Sequence, residues 1–212
     1  MNTCYIVGAL DCELDFIKDS TDLLIGADNG YSTIVKKGMK PDVVIGDFDS
    51  YAGEIDCDNV IKYPVKKDDT DTALSIKYAI ENGYKSIVVY GAIGGMLDHT
   101  IANLQHLAFY SKKDIDISFI DGENVIFALT NQRITFSKEA TGRISVFSFD
   151  DLVFGVTEKG LMYTLDDKCL NNVCPLGVSN EFIGKKSEVG VTGGTILVYT
   201  SKNNYDKYLT KH

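Results

Sequence analysis

The stretch Ser86-Ile87-Val88-Val89-Tyr90-Gly91-Ala92-Ile93-Gly94-Gly95-Met96-Leu97-Asp98 decides the fold of this chain. Residues 86–90, apolar without alternation from Ile87 onward and rich in β-branched side chains, predict a strand buried on both faces. Three glycines within the next five residues break it, and 97–110 then reads as a helix. A buried strand, a glycine turn and a helix form half of a βαβ unit.

The same alternation extends outward. Strands are predicted over 3–10, 22–27, 42–45 and 60–63, and a short helix over 29–37, ended by Gly38 and followed by Pro41. A second helix is predicted over 70–82, with Ala73, Leu74, Ile76, Ala79 and Ile80 in a 3.6-residue rhythm and Gly83 closing it. A further strand is predicted over 115–120. This half reads as an α/β N-terminal domain with a mainly parallel sheet flanked by helices.

Beyond Gly122 the helical rhythm stops. Short strands are predicted over 143–149, 152–157, 161–165, 178–182, 187–191 and 195–200, with turns such as Asp150-Asp151, Glu158-Lys159-Gly160 and Thr192-Gly193-Gly194. That pattern predicts an all-β, sandwich-like C-terminal domain. The division falls at 1–124 and 125–212, and the polar tail over 202–212 is expected to fray. The chain has no internal repeat.

Composition narrows the function classes. Of 212 residues, 24% are charged and 44% hydrophobic, as in an ordinary globular protein, which excludes disordered, collagen-like and coiled-coil chains. The longest apolar runs fall far short of a membrane helix, and the N-terminus lacks the basic region of a secretory signal. A net charge of −9 argues against nucleic-acid binding, which needs a basic face. The five cysteines form no C-x-x-C, and Cys169 and Cys174 lack a matching second pair, so zinc is disfavoured and reduced thiols are expected. The expectation is a soluble, cytoplasmic protein without nucleic-acid or membrane partners.

The chemistry concentrates in acids. Nine of the residues from 42 to 71 are Asp or Glu. Gly46-Asp47-Phe48-Asp49-Ser50 follows one predicted strand, and Lys67-Asp68-Asp69-Thr70-Asp71 follows another and opens a helix. Asp28, in Ala27-Asp28-Asn29-Gly30, and Asp98 follow two more. Each has a plain alternative. Asp68, Asp69 or Thr70 can cap the helix, and the Asp47 and Asp28 segments can be exposed turns. Jointly, four strand ends of one parallel sheet would deliver acids to the edge where such folds bind ligands. Carboxylates about 4 Å apart repel by about 4 kcal/mol even at an effective dielectric near 20, so the gathering calls for a cation. Oxygen-only donors suit Mg²⁺ bound together with substrate phosphates.

The Gly91-x-x-Gly94-Gly95 turn can present backbone N–H groups to phosphate at a helix N-terminus, or can simply be a tight turn. Neither G-x-x-x-x-G-K-[ST] nor G-x-G-x-x-G occurs. His99 and His106 share a helix face and read as packing or exposed residues, while Lys66 and Lys67 are either solvated or phosphate contacts.

Taken in order, Ala27-Asp28-Asn29-Gly30, Gly46-Asp47-Phe48-Asp49-Ser50, Lys67-Asp68-x-Thr70-Asp71 and Gly94-Gly95-x-Leu97-Asp98-His99-x-x-Ala102-Asn103-Leu104 resemble the thiamine pyrophosphokinase (thiamine diphosphokinase) family. Gly160-Leu161-x-Tyr163 and Val178-Ser179-Asn180-Glu181-Phe182 look like its vitamin-binding motifs. The resemblance implies a catalytic α/β domain, a thiamine-binding β-sandwich, and a homodimer with active sites between subunits. It implies Mg²⁺-dependent transfer of diphosphate from ATP to the hydroxyl of thiamine, giving thiamine diphosphate and AMP.

By resemblance, Asp47, Asp49, Asp71 and Asp98 are the catalytic acids, with Asp47, Asp49 and Asp71 on the metal; Asp71 or Asp98 would orient or deprotonate the alcohol. Asp28, Asn29, Lys67, Asp68, Thr70, Gly94 and Gly95 face nucleotide and phosphates, and Tyr163, Ser179 and Asn180 face thiamine. The family usually has Arg where this chain has Met96, so either Lys66 or Lys67 supplies that charge or nucleotide choice differs. A metal-dependent hydrolase of nucleotide or diphosphate esters, or a non-catalytic thiamine- or nucleotide-binding module, would use the same residues.

Overall fold

The computed structural model describes residues 2–48, 54–64, 66 and 68–212. The chain divides into two compact units, Met1–His106 with Ile115–Gly122, and Leu107–Asp114 with Glu123–His212.

The first unit contains β1 (Thr3–Val7), β2 (Leu23–Ala27), α1 (Gly30–Lys36), β3 (Val43–Gly46), β4 (Val60–Lys62), α2 (Asp71–Glu81), β5 (Ser86–Tyr90), most of α3 (Leu97–Ser111) and β6 (Asp116–Asp121). Its strands lie in the order β6-β5-β1-β2-β3-β4, every neighbouring pair parallel. Val43, Val44 and Ile45 are consecutive and all buried, so both faces of β3 are covered, as the unbroken apolar run predicts.

Local chemistry sets the helix ends. Thr70, not Asp69, caps α2: its hydroxyl accepts the Ala73 N–H at 3.2 Å. The chain leaves α2 through Gly83 N–H to Ile80 O at 2.9 Å and Tyr84 N–H to Ala79 O at 3.0 Å. At the start of α1, a Cβ on Gly30 would sit 1.8 Å from the Val7 carbonyl oxygen, so only glycine lets this helix begin against the end of β1.

The second unit contains β7 (Asn124–Thr130), β8 (Arg133–Phe136), β9 (Arg143–Ser148), β10 (Leu152–Lys159), β11 (Leu165–Asn171), β12 (Gly177–Glu181), β13 (Ser187–Gly190), β14 (Thr195–Ser201), α4 (Lys202–Tyr208) and β15 (Leu209–Lys211). Antiparallel pairing gives the orders β12-β9-β14-β7 and β11-β10-β13-β8-β15. Phe136 on β8 meets Phe182 just past β12, ring centroids 5.0 Å apart. The fold is thus an α/β unit followed by a β-rich one.

Three local expectations change. The strand predicted over 161–165 is absent, and β11 starts at Leu165. The Asn180 side chain takes both the N–H and the carbonyl of Tyr163, the groups a β-ladder would use. The tail over 202–212 does not fray. Ser201 caps α4 by accepting the Asn204 N–H, Asn204 is fully buried against Thr141 and Thr200, and β15 pairs with β8. Finally, β7 and β8 were not predicted from the sequence.

Candidate active site

In the first unit the central strand β1 has β2 on one side and β5 on the other, so the connections diverge at its carboxyl end. Open parallel sheets bind ligands at such a switch point. A cleft of about 660 Å³ occupies it. Ala9 and Leu10 follow β1, Ala27 ends β2 with Asp28 just past it, and Gly91, Ala92, Gly94 and Gly95 belong to the turn after β5. Residues 69–72 close it at the start of α2, as do Met96 just before α3 and His99 and Asn103 on it.

Of the residues singled out by sequence, Asp28, Thr70, Asp71, Gly94 and Gly95 line this cleft together. Asp28 holds a left-handed backbone, φ 51°, with its N–H donated to the Ile45 carbonyl at 2.8 Å. Aspartate tolerates that region better than most residues. Asp71 is the first residue of α2, half-buried beside the Thr70 cap. Gly94 and Gly95 have φ of 91° and 64°, a turn that other residues would adopt only with strain. The Thr100 hydroxyl fastens it, accepting the Gly94 N–H at 3.1 Å. Buried Asn103 fastens the same turn, its Nδ2 donating to the Ala92 carbonyl at 2.7 Å.

The other candidates lie outside the lining. Asn29 is exposed, and its Nδ2 reaches the Ala9 carbonyl at 3.3 Å. Asp47 follows β3, where a Cβ on the preceding Gly46 would lie 3.1 Å from the Asp28 Cα. Asp68 is exposed. Asp98 is exposed too, its carboxylate accepting the neighbouring His99 N–H at 2.9 Å. Asp49 and Lys67 are outside the described residues.

Sequence reasoning missed Asp69, His99 and Asn103 as cleft residues. Asp69 is ion-paired with Lys77 at 2.6 Å, which balances one acid of the rim. His99 and Asn103, four apart on α3, lie on the helix face that turns to the cleft, a spacing readable from the sequence. His106 is packed instead. Burial lowers it below the ordinary imidazole value and Lys77 adds to that, against the pull of Asp69. Burial also raises the Cys4 and Cys12 thiols, Cys12 to about 11, and all five cysteines are free.

Among the described residues, no three His, Cys, Asp or Glu side chains gather closely enough to hold a metal by themselves. Mg²⁺ does not require that; it takes one or two carboxylates and completes its shell with substrate phosphates and water. Asp71 supplies such a carboxylate in the cleft, with Asp28 also on the lining, and among the described residues no thiol or imidazole cluster favours a softer ion.

In the second unit, Tyr163 and Asn180 line a cavity of about 170 Å³ together with Glu158. Ser179 is outside that lining. It is exposed with φ 59°, and its N–H donates to the Ser145 hydroxyl at 3.0 Å. A separate depression of about 570 Å³, edged by Lys138, Lys185, Lys186 and His212, holds none of the residues the sequence singles out. Among the described residues no helix is long and apolar enough to cross a membrane.

Comparison with known proteins matches both units. The model of the "Thiamin pyrophosphokinase, catalytic domain" family matches residues 14–119, and that of the "Thiamin pyrophosphokinase, vitamin B1 binding domain" family matches residues 131–196. The chain is 29% identical over 191 residues to the thiamine pyrophosphokinase of Bacillus subtilis (strain 168), covering 86% of this chain and 89% of that one. The crystal structure of the Bacillus subtilis thiamine pyrophosphokinase superposes with a TM-score of 0.84 at 27% identity, over 94% of this chain and 99% of that one. That of the Geobacillus thermodenitrificans thiamin pyrophosphokinase gives 0.82 at 26%, over 94% and 97%. An acid-lined cleft at the switch point of a parallel sheet, a β-rich second unit, and two family matches in the same order along the sequence lead to one assignment: the chain belongs to the thiamine pyrophosphokinase family of enzymes.

Proposed function

We propose that this protein transfers the terminal diphosphate of ATP to the hydroxyl of thiamine, forming thiamine diphosphate and AMP, and that it requires Mg²⁺. The observation that carries this reading is the cleft where Asp28, Thr70 and Asp71 meet the Gly94-Gly95 turn. With the Gly94 N–H held by Thr100, the N-terminus of α3 offers the donors to phosphate oxygens, while the carboxylates repel phosphate unless a cation intervenes. Asp47, Asp49 and Asp71 would hold the ion, with Asp28, Asn29, Lys67 and Asp68 around the nucleotide. Bound there, Mg²⁺ supplies charge neutralisation at the phosphate oxygens.

The residues' task is alignment. The thiamine oxygen forms a bond to the β-phosphorus while the bond from that phosphorus to the AMP oxygen breaks in line. The alcohol proton passes to a rim carboxylate; of the two candidates, Asp71 lines the cleft and Asp98 does not. Thiamine is a cation, so an acidic protein favours its approach. Tyr163, Ser179 and Asn180 form its site in the second unit, Tyr163 being exposed enough to stack on a ring. In the same reading the protein assembles as a homodimer with active sites between subunits; exposed apolar side chains such as Leu97 and Ile101 on α3 are surface that an assembly would cover. Free thiols suit the reducing cytoplasm.

Incubation with Mg-ATP, with and without thiamine, tests this reading. Thiamine diphosphate and AMP should form only when both substrates are present. Equal AMP release without thiamine would make the protein a hydrolase, and tight binding without product would make it a carrier.

A further inference from the structure

Asn180 cannot be the atom that reads a ligand, because its amide is already spent. Its Oδ1 accepts the N–H groups of Tyr163 at 3.0 Å and Glu181 at 2.9 Å. Its Nδ2 donates to the Tyr163 carbonyl at 2.7 Å and to Glu158 Oε2 at 2.6 Å. Two acceptor positions and two N–H donors are all an asparagine amide has.

The unspent atom is next to it. Glu158, on β10, is 1% exposed, and its Oε1 has no hydrogen-bond partner among the described residues. Burying a carboxyl oxygen without a partner is costly, so a native fold keeps such an atom only for a reason. Glu158 lines the 170 Å³ cavity, and its buried Oε1 lies against Gly177, where a Cβ would sit 3.0 Å from that oxygen and 2.5 Å from the Val146 carbonyl oxygen. The remaining walls are aliphatic, from Leu165, Leu176 and Val178, with Tyr163 among the lining residues. A cavity of about 150 Å³ with apolar walls accommodates one benzene-sized ring.

We propose that Glu158 is a specificity-determining residue of the substrate site: Oε1 accepts an N–H of an amino-substituted, six-membered heteroaromatic ring seated in this cavity, and Asn180 is the positioning residue that fixes the carboxyl. The inference rests on the proposed function, in which thiamine, whose pyrimidine ring carries an exocyclic amine, is the acceptor substrate. Burial raises the Glu158 carboxyl above its ordinary range, and the Asn180 bond only partly opposes this.

The test is Glu158→Gln in the full chain, assayed with thiamine and with the analogue bearing an oxo group in place of the amine. Glutamine can keep its carbonyl toward Asn180 and turn an NH₂ donor, instead of an acceptor, toward the cavity. The expected result is a KM for thiamine raised about tenfold or more, an unchanged KM for ATP, and a preference for amine over oxo reduced about tenfold. A merely structural role would lower stability and leave the preference alone; an unchanged preference overturns the inference. Should the variant not fold, the wild type alone decides: a preference of about tenfold or more for the amine supports the inference, and equal KM values for the two compounds overturn it. Wild-type protein that neither binds nor converts thiamine removes the proposed function and this inference together. Wild-type turnover with an indifferent Glu158→Gln variant removes only the inference.

Discussion

The Asn103 side chain donates to the carbonyl oxygen of Ala92 at 2.7 Å, so a buried amide on α3 fixes the glycine turn on the cleft's edge. Removing the amide strands a backbone acceptor and frees the turn. Asn103→Ala should cost about 1–3 kcal/mol of stability, read from denaturant unfolding. It should also raise the KM for ATP more than that for thiamine; equal effects on both would detach the turn from the nucleotide.

Asp71 is the cleft acid on which the proposed chemistry leans most. Asp71→Asn keeps the shape and removes the charge, so turnover should fall by about 10²–10³. An unchanged circular dichroism spectrum would show that the fold persists. Wild-type turnover in this variant would take Asp71 out of the site.

Strands buried on both faces were readable because an unbroken apolar run has to be covered on both sides, as Val43, Val44 and Ile45 of β3 are; β5 spans the predicted 86–90. Helix α2 was equally plain, since its apolar rhythm and Gly83 agree. The acids at the strand ends were visible as a set, but which of them turn into the cleft was not. Asp71 and Asp98 look alike in sequence, whereas one lines the cleft and the other binds its own neighbour's N–H. The tail misled because its polar composition conceals Asn204, whose amide is buried in a network with Thr141 and Thr200. Glu158 was illegible for a related reason. A glutamate near a strand end before Lys159-Gly160 reads as solvent-facing, and only the fold puts it inside.

Thr70 has two duties, capping α2 and lining the cleft. Thr70→Ala should lose about 1 kcal/mol through the missing cap, while Thr70→Ser, which keeps the hydroxyl, should stay near wild type. Thermal unfolding of the pair separates these, and equal losses would show that the methyl group matters rather than the cap.

The buried Glu158 carboxyl gives a signed pH dependence. Its value in the folded protein is raised by burial, so its contribution to stability is full below the unfolded value, about 4.3, and is lost as pH rises through the folded one. Measured without substrates, the Tm of Glu158→Gln should therefore gain on that of the wild type between about pH 4.3 and neutrality. A constant gap, or one moving the other way, would mean that the carboxyl is not penalised.

The most direct measurement follows the phosphorus atoms. With Mg-ATP labelled separately at the α, β and γ positions, β and γ labels should appear together in thiamine diphosphate, α label should stay in AMP, and excess EDTA should stop both. Transfer of the γ label alone, leaving ADP, or undiminished turnover in EDTA would contradict the proposed transfer.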